Sequence, residues 1–238
     1  MKPGGVLFFH GYGVRGQIWK PIRDYLGDGV GITSAVNLEA SSAVELIAQA
    51  KTATVSFAEH TEAPAVLVGH SMGAVAAALA AQELSNSTVA GVVMLAPPYG
   101  ERDNVPGPFL RFLLRYRLLP PALVRPRFFS SKTPLDVQKR IFAEAVPEAP
   151  GLQELTFARR WFHTDLLEGR LSVPSLLIAS GADQITPVEQ SVAMGELLGS
   201  RIVLWPATRE IGHDDFFAAP RIARETATTI HEFYESLR

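Results

Sequence analysis

The chain has 238 residues, 47% apolar and 19% charged, enough for one sizeable α/β core and too apolar for a disordered segment. A formal charge of −2 gives no global electrostatic grip on nucleic acid, and the lack of cysteine excludes disulfides, thiolate metal sites and cysteine nucleophiles. A cysteine-free chain suits the reducing cytoplasm, the localisation expected here. No run approaches the roughly 18 apolar residues of a transmembrane helix, and the first apolar stretch is too short for a signal-peptide core.

In chain order, strands are predicted over 6–9, 31–37, 65–68, 89–95, 175–179 and 201–205. Helical patterns fall over 19–26, 42–60, 72–84 and 188–198. A last helix is marked by Ile222, Thr226, Ile230, Phe233 and Leu237 at helical spacing. The alternation predicts a mostly parallel sheet of about six strands with helices on both faces. Strands that are nearly all apolar fit a sheet covered on both sides.

The rhythm breaks between Pro97 and Val173, which implies a core of 1–97 and 173–238 and a helical insertion over 98–172. Such an insertion is expected to lie as a lid over the strand ends, where open α/β sheets bind ligands. Residues 101–140 hold nine Arg or Lys against three Asp or Glu, so +6 against −8 for the remainder. Those arginines either face water while apolar neighbours pack inward, or form a surface for anionic lipid or substrate. Phe109, Phe112, Trp161 and Phe162 either line an apolar acyl pocket or form the insertion's own small core.

The chemistry centres on Gly69-His70-Ser71-Met72-Gly73, placed between a buried strand and an Ala-rich helix. G-x-S-x-G at such a turn is the nucleophile elbow, which lifts one hydroxyl above the sheet. Otherwise Ser71 is a helix N-cap. Ahead of it, His10-Gly11-Tyr12-Gly13 follows the first strand. There the backbone N–H of Tyr12 can join that of Met72 as an oxyanion hole, unless the loop is only a strand-ending turn.

Asp183 follows the fifth strand and can orient a histidine, or merely serve its turn. Asp214 and Asp215 are alternative acids, but they adjoin the base. His213, before the last helix, completes Ser…Asp…His in chain order, each member after a separate strand. His10 and His70 belong to the two turns, and His60, His163 and His231 fall in helical or insertion segments.

With these four elements the chain resembles the α/β-hydrolase fold family, in particular its small lid-bearing esterases and its lysophospholipase- or monoacylglycerol-lipase-like members. The resemblance implies Ser71 as nucleophile, Asp183 as acid, His213 as base, and Tyr12 and Met72 as oxyanion donors. It implies a small-molecule ester substrate with a hydrophobic part and no metal or organic cofactor. A thioester, amide, lactone or carbon–carbon bond would suit the same machinery. A ligand-binding protein on the same scaffold is the alternative of another class. The family's first two strands have no counterpart in the sequence, and oligomeric state is not legible.

Overall fold

The computed structural model describes residues 2–101, 105, 107–116, 118–160 and 164–238. Among them, six strands form one sheet: β1 (Gly5–Phe9), β2 (Ile32–Val36), β3 (Ala65–His70), β4 (Val89–Leu95), β5 (Ser175–Ser180) and β6 (Arg201–Trp205). Their order is β2-β1-β3-β4-β5-β6 and every pairing is parallel.

Side chains alternate across this sheet with period two, and each set finds its own core. Val6, Phe8, Val66, Val68, Leu176 and Ile178 point to one face, where they meet Ile22, Ile222 and Phe233. Those three come from α1 (Lys20–Leu26) and α10 (Pro220–Glu235). Leu7, Phe9, Leu67, Met94 and Leu177 point to the other face and meet α2 (Ala43–Thr61), α3 (Met72–Glu83) and α8 (Val188–Leu198). β1, β3 and β5 are buried along their whole length, whereas the edge strands β2 and β6 are only partly covered. Full burial of a Val, Leu or Phe side chain stabilises the fold by about 1.5–3 kcal/mol, so these two cores supply most of the driving force.

Local signals fix the helix ends. Ser42 caps α2 by accepting the Glu45 N–H at 3.2 Å, and Glu62 ends that helix in the left-handed conformation. α3 is buried from Met72 to Ala81, which its run of alanines permits by letting the helix sit close on the sheet.

Among the described residues, four α-helices lie between β4 and β5: α4 (Pro108–Arg115), α5 (Pro121–Phe128), α6 (Leu135–Glu144) and α7 (Pro150–Phe157). Three of them begin on proline, which presets φ for a helix, and Pro134 stands at the N-cap of the fourth. A one-turn helix that the sequence pattern does not reveal, α9 (Asp215–Ala218), precedes α10. No helix among the described residues is long and apolar enough to cross a membrane.

The strand order reverses at β1, which has β2 on one side and β3 on the other. The carboxyl ends of β1 and β3 therefore flank the switch point where open α/β sheets form a crevice. The two glycine-rich turns follow these two strands.

Candidate active site

Ser71 joins β3 to α3 with φ 52° and ψ −121°, a conformation that disfavours any residue with a Cβ. Its N–H donates to the Leu95 carbonyl at 2.9 Å, and its own carbonyl accepts from Ala74 at 3.0 Å. Although Ser71 occupies the N-cap position, its side chain makes no capping hydrogen bond.

The flanking glycines are sterically required. A Cβ on Gly69 would lie 2.3 Å from the Gly73 carbonyl oxygen, and one on Gly73 would lie 2.4 Å from the carbonyl oxygens of Phe9 and His10. The end of β1 thus passes directly against the start of α3. Gly11 packs over the serine as well, since an added Cβ would sit 3.3 Å from Ser71 Cβ and 3.0 Å from His70 Nδ1.

His10 is fully buried and ties down the loop that follows β1. Its Nε2 accepts the Leu38 N–H at 2.8 Å, so Nδ1 carries the proton and donates to the Gly11 carbonyl at 2.7 Å. That bond fixes the plane of the peptide whose nitrogen belongs to Tyr12. Burial pushes the pKa of His10 down to about 4, which keeps the ring neutral and this tautomer in place.

Asp183 and His213 come together from the ends of β5 and β6. Asp183 Oδ2 accepts from His213 Nδ1 at 2.7 Å, with both side chains almost wholly buried. The other oxygen, Oδ1, accepts the N–H groups of Ile185 at 2.8 Å and Thr186 at 2.9 Å, which holds the carboxylate in one orientation. Burial works against charge on His213, but the adjacent Asp183 carboxylate prevails and holds its pKa above the ordinary histidine value.

The neighbouring acids have other partners. Asp215 is fully buried and accepts from Thr133 Oγ1 at 2.6 Å, from Gly212 N–H at 2.8 Å, and from the Ser130 N–H and hydroxyl. It pins the His213 loop to the segment after α5. Asp214 Oδ1 lies 3.9 Å from His70 Nε2, and burial pushes its pKa up to about 7, reinforced by Asp183 and Asp215 and opposed by His213.

His70 donates from Nε2 to the His213 carbonyl at 2.9 Å, its ring 4.6 Å from that of His213. Burial, then the charge of His213, holds its pKa well below the usual range, so it stays neutral beside His213. Among the described residues, donor atoms of His70, His213 and Asp214 lie within 4.8 Å of one another and could share a metal ion. One ring nitrogen of each histidine is committed elsewhere, His213 Nδ1 to Asp183 and His70 Nε2 to the His213 carbonyl.

A sequence model described as the alpha/beta hydrolase family matches residues 6–225. The chain belongs to this family. A search of curated proteins finds no match. Among solved structures, the hydrolase is similar to an esterase from Thermogutta terrifontis, with 22% identity, TM-score 0.68, and coverage of 100% of this chain and 92% of that one. It is similar to a monoacylglycerol lipase from Paleococcus ferrophilus at 20% identity and TM-score 0.69, covering 100% and 96%. A bromoperoxidase from Bacillus anthracis gives 17% identity and TM-score 0.74 over 99% and 92%. Identities this low show a shared fold, and the spread of names shows that the fold does not fix the reaction.

A cavity of about 210 Å³ opens beside Tyr12 in this hydrolase. Val14, Val124, Phe128, Ile141 and Phe142 line much of it, with Asp214, Glu148 and Gln153 as polar groups. Phe128 also meets the His213 ring edge-on, centroids 6.2 Å apart, which ties this cavity to the Asp183–His213 pair.

The aromatics expected at an acyl pocket lie elsewhere or outside the described residues. Phe109 and Phe112 sit on α4, 75% and 51% exposed, and do not line this cavity. Trp161 and Phe162 fall outside the described residues, as does His163.

Glu148 was not singled out by the sequence. It is buried and accepts the Gly13 N–H at 2.9 Å and Arg15 Nη1 at 2.8 Å, while Val146 N–H donates to the Gly13 carbonyl at 2.9 Å. The segment between α6 and α7 therefore holds the Tyr12 loop from outside. Only chain folding brings residues 13 and 148 together, and no motif announces it.

Proposed function

We propose that the protein is a serine hydrolase that cleaves carboxylic esters with a hydrophobic acyl or alcohol part. In this reading Ser71 Oγ attacks the carbonyl carbon and His213 Nε2 takes the hydroxyl proton. Asp183, bonded to the opposite ring nitrogen, stabilises the imidazolium that forms. The N–H groups of Tyr12 and Met72 receive the developing oxyanion. Met72 opens α3, where the first N–H groups lack intrahelical partners and point outward. His213 then protonates the leaving alcohol, and a water that it deprotonates hydrolyses the acyl-enzyme.

The observation that carries this reading is the strained backbone of Ser71. A φ of 52° at a non-glycine residue is retained only where surrounding structure enforces it, and such strain clusters at functional sites. The insertion over 98–172 acts here as a lid, because Val124 on α5 and Phe142 on α6 line the cavity beside Tyr12. That cavity is the acyl or alcohol pocket.

A fluorophosphonate probe tests the proposal. It should label the wild type at Ser71 and leave Ser71→Ala unlabelled. A folded wild type that resists labelling and hydrolyses no ester of any chain length would overturn it in favour of a ligand-binding protein.

A further inference from the structure

The insertion presents an apolar face to water that the hydrolytic site does not use. On α4, Phe109 and Phe112 are 75% and 51% exposed, and Tyr116, one turn beyond Phe112, is 59% exposed. Their spacing of three and four puts them on one side of the helix, and the Phe112 and Tyr116 rings lie 4.8 Å apart. Leu118 and Leu123 continue the exposed apolar surface at 56% and 68%. Large apolar side chains held in water on neighbouring segments of one insertion mark a surface that meets another apolar phase.

The charge of the insertion selects the phase. Residues 101–140 carry nine Arg or Lys against three Asp or Glu, whereas the rest of the chain is net acidic. Arg127, Lys139 and Arg140 are exposed on α5 and α6. Aromatic and leucine side chains flanked by basic groups are what an interfacial helix needs: the apolar groups enter the acyl boundary and the cations meet anionic headgroups. α5 carries Leu123 outward and Val124 into the cavity beside Tyr12, so this helix spans from that cavity to the exposed surface.

We infer that the α4–α5 face docks the protein on an anionic lipid bilayer. Docking stands apart from catalysis, because no member of the Ser71, Asp183 and His213 set takes part in it.

Co-sedimentation with vesicles tests this. The full chain is mixed with phosphatidylcholine vesicles and with vesicles containing one quarter phosphatidylglycerol, in about 0.1 M and about 1 M NaCl. Binding should be at least tenfold stronger on the anionic vesicles. It should fall several-fold in the higher salt, where the screening length shrinks from about 10 Å to about 3 Å. Phe109→Asp and Leu123→Asp, each with an unchanged circular dichroism spectrum, should each lose most of the binding. Arg127→Gln should weaken it less. Ser71→Ala should bind as the wild type does, which separates docking from hydrolysis.

Equal binding to both vesicles, or none, would overturn the inference, as would wild-type binding by Phe109→Asp. A dimer in gel filtration that Phe109→Asp dissociates, without vesicle binding, would assign the face to a second copy instead.

Discussion

Asp183 Oδ2 accepts a 2.7 Å hydrogen bond from His213 Nδ1, while Asp183 Oδ1 is held by two backbone N–H groups. The carboxylate thus has one orientation and the imidazole one tautomer. Asp183→Asn should lower kcat for an ester by on the order of 10³–10⁴, because the amide cannot favour the imidazolium. The wild-type acid limb of kcat/KM should lie above pH 6.5, since Asp183 raises the His213 pKa and the proposed mechanism needs His213 neutral. In the variant that limb should move to lower pH. Steady-state kinetics from pH 5 to 9 read both effects. An equally large loss in Asp214→Asn with little in Asp183→Asn would reassign the acid.

Ser71 separates stability from activity. At φ 52° and ψ −121° a glycine is unstrained where serine is not. Ser71→Gly should therefore raise stability by about 1–3 kcal/mol while abolishing turnover. Gly73→Ala should do the opposite and destabilise severely, because its Cβ would meet two backbone oxygens at 2.4 Å. Urea unfolding of the two variants measures the contrast.

His10 acts one peptide away from the proposed oxyanion donor. His10→Leu removes the bond that orients the Gly11–Tyr12 peptide and leaves the Leu38 N–H without its acceptor. It should cost about 1–3 kcal/mol of stability and lower kcat at least tenfold, with KM changed little. A loss of stability with kcat intact would make His10 a structural residue only.

Asp214 sets a stability profile with a definite sign. Its pKa is about 7 in the fold against 3.8 in its absence. The native state therefore holds a proton that the unfolded state has lost, and its contribution to stability fades as pH rises from about 4 to 7. The difference corresponds to roughly 4 kcal/mol at most. Asp214→Asn should unfold at higher temperature than the wild type at pH 8 and at the same temperature at pH 4. Thermal melts at the two pH values decide it.

Much of this was legible in the sequence because its causes are local. Apolar runs bounded by turns located all six strands to within a residue or two. Alternation with helical patterns dictated parallel pairing, since a crossover helix returns the chain in the same direction. Gly69 and Gly73 signalled a tight turn, as only glycine can let the end of β1 meet the start of α3. Asp183 and His213 stood out because each follows a strand end, where side chains emerge above the sheet.

The tertiary structure alone decided what depends on residues far apart in the chain. It closed the 2.7 Å bond between Asp183 and His213, a distance that no strand-end position specifies. It put Phe109 and Phe112 in solvent and lined the cavity with Val124, Phe128 and Phe142, because an amphipathic pattern states that a helix has two faces but not which one is covered. It brought Glu148 against Gly13 and Asp215 against Thr133. Such bonds are chosen by where the chain returns, a property of the packed sheet and helices together rather than of any one segment.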